Sequence, residues 1–213
     1  DVFVTKLNTT GTALVYSTYI GGTGDDRGRN IAIDASGNAF VAGYTSGSFP
    51  TAGTPYQSVY GGGTFDAFVF KLNAAGTALM YSTYIGGSGQ DQGFGITVDA
   101  SGNAYTIGQA STGYPTTVGA YQTALGGGGT DAFVTQLNST GGVVYSTLLG
   151  GATADNSFAV VVDASGNAYV TGNTSGSFPT TVGAYQTAFG TGTRDAFVTK
   201  LNATGTALVY STY

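Results

Sequence analysis

Short runs of alternating apolar and polar residues recur along the chain, and Gly, Asn, Ser and Thr separate them. In the run Asp66–Leu72, Phe68 and Phe70 fall on one face and Val69 on the other, which is the two-residue period of a half-exposed β-strand. The run Asn30–Asp34 is short, apolar and β-branched, so we predict a strand that is buried on both faces. No segment has a convincing period of 3.6 residues. The sequence therefore predicts an all-β fold with minimal helix.

The chain also repeats itself at intervals of 64 or 65 residues. The segment Asp1–Asn8 returns with few changes at Asp66–Asn73, Asp131–Asn138 and Asp195–Asn202. The hairpin sequence Asp-Ala-Ser-Gly-Asn returns at the same intervals, beginning at Asp34, Asp99 and Asp163. Repeats of this length indicate one supersecondary unit copied along the chain, whose copies share a core with their neighbours.

One repeat contains four runs with strand character, each bounded by turn residues. They are Asn30–Asp34, Ala39–Tyr44, Asp66–Leu72 and Ala78–Ile85. Four antiparallel strands, the first most buried and the last most polar, are typical of a β-propeller blade. We predict a half blade over residues 1–24 and three blades over residues 25–89, 90–153 and 154–213. Since a blade cannot bury both of its faces alone, each needs a neighbour on either side.

An irregular stretch of about twenty residues separates the second and third strands of each repeat and keeps its aromatic and proline positions. In the first copy it runs from Ser46 to Gly63 and contains Phe49 and Tyr56. We favour the interpretation that these aromatic side chains fold back over the edge of the blade. The alternative is a surface that faces a ligand or a subunit.

These motifs resemble the bacterial seven-bladed β-propeller repeat family, SBBP. The segments that carry the resemblance are Asp163–Gly172, Phe178–Thr181, Gly183–Gln186, Asp195–Asn202 and Tyr81–Gly87, and they recur in each unit. The resemblance implies a propeller in large exported, surface-associated or matrix-type proteins, for which no catalytic residues are generally assigned. Seven such blades need more than twice this length. We therefore expect either an excerpt from a longer propeller, which we favour, or separate chains that join blade to blade into a ring or an open filament.

Composition excludes most catalytic chemistry. The chain has no Cys, His, Trp or Glu, so it contains neither a Ser-His-Asp nor a Cys-His nucleophile and no thiolate or imidazole metal site. The net charge of -5 and the lack of a basic cluster argue against nucleic acid as a partner. No apolar run approaches the ~20 residues of a membrane span. The charge-poor surface, rich in Gly, Ser, Thr, Asn and Tyr, favours an extracellular or cell-surface location.

Three aspartates are candidate metal ligands. Asp26, Asp91 and Asp155 occupy equivalent positions just before the first strand of successive repeats. In a closed propeller these turns lie near the channel mouth, where a ring of carboxylates could bind Ca²⁺ with backbone carbonyls. We favour the alternative, in which each Asp caps its own turn, because no Asp-x-Asp-x-Asp-Gly loop is present. Otherwise we expect no cofactor.

Four Asn-x-Ser/Thr sequons, all in predicted loops, are possible glycosylation sites: Asn8, Asn138, Asn173 and Asn202. The 15 Tyr and 12 Phe residues could also stack on sugar rings.

Two functional hypotheses remain. The first is a non-catalytic extracellular module with a structural or adhesive role, whose partners are other copies of itself or further blades of a longer chain. The second is a propeller that binds surface glycans or Ca²⁺. A hydrolase is disfavoured, because only Asp25 and Asp26 offer adjacent acids and neighbouring side chains tend to point apart.

Overall fold

The computed structural model describes residues 1–213 as fourteen β-strands with no helix. The half-blade consists of β1 (Val2–Leu7) and β2 (Leu14–Ile20). The first blade consists of β3 (Asp26–Ile33), β4 (Ala39–Thr45), β5 (Asp66–Leu72) and β6 (Leu79–Ile85). The second consists of β7 (Gln92–Val98), β8 (Ala104–Ala110), β9 (Asp131–Leu137) and β10 (Val143–Leu149). The third consists of β11 (Asp155–Val162), β12 (Ala168–Thr174), β13 (Asp195–Leu201) and β14 (Leu208–Thr212).

Every sheet is an antiparallel meander in which strands adjacent in sequence are also hydrogen-bonded neighbours. Three four-stranded sheets of this kind follow one two-stranded sheet. This arrangement confirms the predicted fold class, an all-β array of four-stranded propeller blades. None of its segments is a helix of the length and apolarity that could cross a membrane.

The hydrophobic core lies between the blades. Phe40 and Val69 of the first blade pack in one buried cluster with Ile96 and Phe133 of the second. A second cluster joins the second and third blades, and a third joins the half-blade to the first blade. Each sheet is therefore stabilised through its neighbour, as expected for stacked repeats.

The predicted order of burial within a blade is wrong. In the first blade the innermost strand β3 is mostly exposed, including Ile31 at 54% and Ile33 at 69%, whereas β4 and β5 are buried along their whole length. The strand β3 is exposed because the half-blade before it has no innermost strand to cover it, whereas its counterpart β7 contacts both β3 and β11 and has no exposed residue. The outer strand β6 is buried from Tyr81 onward, because the long loop of its own blade covers it.

The long loops fold back over the blade, as the favoured interpretation predicts for their first aromatic position. Phe49 stacks on Phe68 with ring centroids 4.1 Å apart, and Phe178 stacks on Phe197 at 4.0 Å. The second aromatic position behaves differently: Tyr56 is 42% exposed, so the prediction for that residue is wrong. The loop also pairs with the outer strand through an isolated bridge between Ala52 and Ser82.

Candidate functional site

Neighbouring blades dock through a tyrosine on one and a glycine on the next. Tyr145 of β10 lies against Gly205 in the outer hairpin of the third blade, and a Cβ built on that glycine would be 2.5 Å from Cγ of the ring. Tyr81 and Gly141 make the same contact one blade earlier, where the Cβ would be 2.7 Å from Cγ. Both glycines have positive φ, so turn conformation and close approach each require the absence of a side chain.

The three candidate metal ligands lie at the starts of innermost strands and are buried. One carboxylate oxygen of each accepts a backbone N–H four residues earlier: Gly22 for Asp26 (2.9 Å), Gly87 for Asp91 (2.7 Å) and Gly151 for Asp155 (2.8 Å). These hydrogen bonds are those of the turn-capping alternative. No group of three or more acidic side chains that could hold a metal ion occurs in the chain.

The structure instead brings each of these aspartates next to an aspartate of the preceding blade. Cβ built on Gly150 would lie 2.6 Å from Cγ of Asp131 and 2.6 Å from Oδ2 of Asp155. Both carboxyl groups therefore border the same small space between the second and third blades. From the sequence we considered Asp26, Asp91 and Asp155 as one series and did not predict that each lies beside the aspartate that begins a repeated segment, such as Asp131.

Each aspartate that begins a third strand is held by its own loop. Oδ2 of Asp66 accepts hydrogen bonds from Gly61 N at 2.5 Å and Gln57 Nε2 at 3.4 Å. Oδ2 of Asp131 accepts the corresponding bonds from Gly126 N at 2.9 Å and Gln122 Nε2 at 2.5 Å. The Oδ1 atoms of both residues are buried without a hydrogen-bond partner.

Burial changes the acidity of these carboxyl groups. It raises the pKa of Asp66 to about 6, with a further contribution from the charge of Asp91. It likewise raises the pKa of Asp155 to about 6, and the nearby Asp131 adds to the effect. The pKa values of Asp91 and Asp131 are also raised by burial. The blade boundaries therefore hold acids that are harder to ionise than ordinary aspartates.

A third Asp series fixes the inner hairpins. Oδ1 of Asp163 accepts backbone N–H groups of Ser165 and Asn167, and Lys200 Nζ lies 3.1 Å from its Oδ2. Asp34 has the same hairpin bonds in the first blade, with Lys71 as its ion-pair partner. These residues have the architectural role that repetition in every blade suggests.

Three of the four sequon asparagines brace the outer hairpins. Oδ1 of Asn138 accepts the backbone N–H groups of Thr140 and Gly142, and Asn8 and Asn202 make equivalent bonds in their own hairpins. The fourth, Asn173, lies in strand β12, so its predicted loop position is wrong. The residues that follow Asn173 in the sequence are typical of a turn, but Asn173 itself pairs with Ala196 and Asn156 within the sheet.

A cleft with a volume of about 520 Å³ lies between β1 and β3. Phe3, Arg27, Arg29 and Ile31 are among the residues that line it. Arg27 is engaged by Asp25 in an exposed ion pair. The cleft opens where the half-blade has two strands instead of four, so its shape follows from the sheet edge.

No curated protein matches the chain. A sequence model of the β-propeller repeat family, SBBP, matches residues 15–50, 81–115 and 144–179. Each match begins in the outer strand of one blade, crosses the junction and ends at the proline of the next blade's long loop. The matches span half of the chain and fall at the same place in each repeat. The chain therefore belongs to the β-propeller repeat family.

Proposed function

We propose that this chain is a non-catalytic, extracellular structural or adhesive module that associates blade to blade with further units of its own kind. Such units are further blades of a longer chain or other copies of this one. A head-to-tail contact of this type closes into a ring or extends as a filament, depending on the rotation between units.

The main support is the exposed face of the third blade. Val198 is 41% exposed and Tyr210 is 38% exposed. Their counterparts in the second blade, Val134 and Tyr145, are 0% and 3% exposed, because the third blade covers them. The third blade thus presents the same apolar face that is covered at both junctions inside the chain, and a further blade is the partner whose chemistry fits it.

The opposite end carries the complementary half of that contact. Gly11, in the hairpin of the half-blade, has a φ of +71° and no atom within 4 Å of a built Cβ. Its counterpart Gly205 has a φ of +69° and receives the ring of Tyr145. One end of the array therefore offers a tyrosine without a glycine, and the other offers a glycine without a tyrosine.

The non-catalytic part of the proposal draws on the absence of Cys, His and Glu and on the separate engagement of the two adjacent acids. Asp25 pairs with Arg27 at the surface, whereas Asp26 is buried and accepts a hydrogen bond from Thr45 Oγ1 at 2.5 Å. Two carboxyl groups with such different partners do not form an acid and base pair over one substrate bond. The extracellular location is supported by composition alone.

Glycan or Ca²⁺ binding remains the alternative. Tyr185, 97% exposed, is the most accessible aromatic ring for a sugar. Its counterpart Tyr121 is partly buried against the third blade, and its backbone N–H donates to Gly205 O at 2.8 Å. A covering blade accounts for Tyr185 without a glycan. Binding of arrayed glycans, or of Ca²⁺ by calorimetry, would favour this alternative.

Sedimentation of the chain over a wide range of protein concentrations tests the proposal. We expect concentration-dependent association that Val198→Asp abolishes, because that substitution puts a charge in the centre of the exposed face. Val209→Asp is the matched control, since Val209 is 53% exposed and its counterparts Met80 and Val144 stay about half exposed in blades that do have a neighbour. A chain that remains monomeric at every concentration, or equal effects of the two substitutions, would show that copies of this chain do not associate through this face.

A further inference from the structure

The two complete junctions each bury a pair of aspartates with no cation beside it. Asp66 and Asp91 form the pair between the first and second blades, and Asp131 and Asp155 form the pair between the second and third. All four residues are 0% exposed. The three salt bridges of the chain involve Asp25, Asp34 and Asp163, so none reaches either pair.

The hydrogen bonds to these carboxyl groups leave oxygens without a donor. Each oxygen of Asp91 accepts one hydrogen bond, from Gly87 N at 2.7 Å and from Ser111 N at 2.8 Å. In contrast, Oδ1 of Asp66 is buried without a partner. At the second junction Oδ1 of Asp131 lacks one, while the hydroxyl group of Thr174 contributes a hydrogen bond to the carboxyl group of Asp155. Each pair therefore has at least one buried carboxyl oxygen that accepts no hydrogen bond.

Two buried carboxylates without a counter-charge are unfavourable, because each loses its hydration and repels the other. One proton relieves both costs, since it makes one acid neutral, which removes the repulsion and lowers the cost of burying that acid. The two acids of a buried carboxyl pair commonly ionise in separate steps, so that one of them keeps its proton to a higher pH. The two pairs sit on the surfaces where blades meet, so the state of each pair acts directly on stacking.

We propose that each blade junction is a proton-binding site, in which one carboxyl group of the aspartate pair is protonated in mildly acidic solution and ionises as the pH rises. In the protonated state the pair carries a single negative charge. Loss of that proton leaves two adjacent carboxylates and weakens the contact between the blades. The raised pKa values of Asp66 and Asp155, both about 6, agree with this geometry.

No other group near the pairs titrates in that range. Tyr60 and Tyr84 face Asp66, and Tyr114 faces Asp91. Burial raises the pKa of each of these phenols above its usual value of 10. They therefore stay neutral throughout the acidic and neutral range, and only the carboxyl groups respond.

The chain supplies its own comparison positions. Asp195 occupies the place of Asp66 and Asp131 in the third blade, where no following blade brings a second aspartate, and it is partly exposed. Asp1 and Asp26 meet across Gly21 in the half-blade, but Asp1 is exposed to solvent. The buried, unpartnered arrangement is thus confined to junctions with a complete blade on both sides.

The test is urea-induced unfolding of the chain from pH 4 to pH 8. Because the folded pKa of about 6 exceeds the ordinary value of 3.8, the folded state binds the proton more tightly than the unfolded chain. The contribution of each pair to stability is therefore fully present below about pH 3.8 and is lost as the pH rises from there through about 6. The unfolding equilibrium constant should rise by up to about 100-fold per pair across this interval.

Asp155→Asn and Asp131→Asn imitate the protonated acid at nearly constant shape. Each is expected to flatten the pH dependence and to lower the unfolding constant at pH 8 relative to the parent. Asp195→Asn is the matched control and should keep the parental slope. Carbon NMR of the aspartate carboxyl groups in the unmodified chain reads the same protonation without a substitution, and one carboxyl group of each pair should titrate near pH 6.

Two results would overturn the proposal. The first is a parental slope that persists in the Asn variants, together with carboxyl signals that all titrate in the ordinary range of aspartate. The second is stabilisation of the parent by Ca²⁺ at pH 8 that is lost in Asp155→Asn, which would make the pair a metal site. The measured pH dependence does not depend on whether copies of the chain associate, since both aspartate pairs lie inside one chain.

Discussion

Gly205→Ala would place a methyl group where the ring of Tyr145 lies. The built Cβ is 2.5 Å from Cγ of that ring, well inside van der Waals contact, and the residue has a φ of +69°. Gly11 occupies the same position of the half-blade hairpin at a φ of +71°, with no atom within 4 Å of its Cβ. The two substitutions therefore share the backbone cost and differ only in the contact with the neighbouring blade.

The backbone cost of an alanine in the left-handed region is about 1–2 kcal/mol. Overpacking a filled contact adds about 1–3 kcal/mol. We therefore expect Gly205→Ala to lower the free energy of unfolding by about 2–5 kcal/mol and Gly11→Ala by about 1–2 kcal/mol. In a chain of this size each kcal/mol corresponds to roughly 2–4 °C in Tm.

Urea-induced unfolding followed by far-ultraviolet circular dichroism measures both losses. A double-mutant cycle isolates the contact: in a Tyr145→Ala background the ring is gone, so Gly205→Ala should cost only its backbone share. Equal losses for Gly205→Ala and Gly11→Ala would refute the argument that tyrosine docking requires this glycine. So would a cost of Gly205→Ala that is the same with and without the tyrosine.

Two further predictions concern the loops and the inner hairpins. Phe178→Ala removes the ring that stacks on Phe197 and should lower the free energy of unfolding by about 3–5 kcal/mol. Tyr185→Ala, at an exposed position of the same loop, should change that free energy by less than about 0.5 kcal/mol. Similar urea midpoints for the two variants would contradict this prediction. Hydrogen bonds from Asn167 and the ion pair with Lys200 hold the pKa of Asp163 well below its usual value of 3.8. The stability that Asp163 contributes is therefore present above pH 3.8 and is lost as the pH falls toward the folded pKa. We expect Asp163→Asn to make acid-induced unfolding, followed by circular dichroism, depend less steeply on pH. An acid-unfolding curve that is unchanged in this variant would count against the prediction.

The strand pattern could be predicted because alternation and turn residues are local signals. The run Asp66–Leu72 is strand β5 with the predicted bounds, and the outer strand predicted from Ala78 begins at Leu79. The innermost strand was harder to predict. It begins at Asp26 instead of Asn30, since backbone pairing tolerates the polar residues before Asn30 and a register shift between Gly28 and Asn30 absorbs the irregularity. A hydrophobic pattern does not report such an extension.

The aspartate pairs could not be predicted from any one motif. Asp66 and Asp91 belong to different blades, and only stacking brings them together. A signal was nevertheless present, because an aspartate follows Asp66 by 25 residues and Asp131 by 24, as Asp26 follows Asp1 by 25. Such a constant offset between two series indicates a shared environment, but it does not say that the environment is buried.

Repetition in every blade is usually taken as a sign of architecture, since an active site is built once at a point of asymmetry. The junctions of this chain show why that rule does not extend to sites made by two repeats. A site with one half on each blade must recur wherever two blades meet, and it must be incomplete wherever they do not. Asp195 meets that condition: it keeps the loop hydrogen bond from Gly190 N but has no second aspartate and is partly exposed. The repeated aspartates therefore brace their own turns in every blade, and they become a pair of acids that responds to pH only when the next blade is in place.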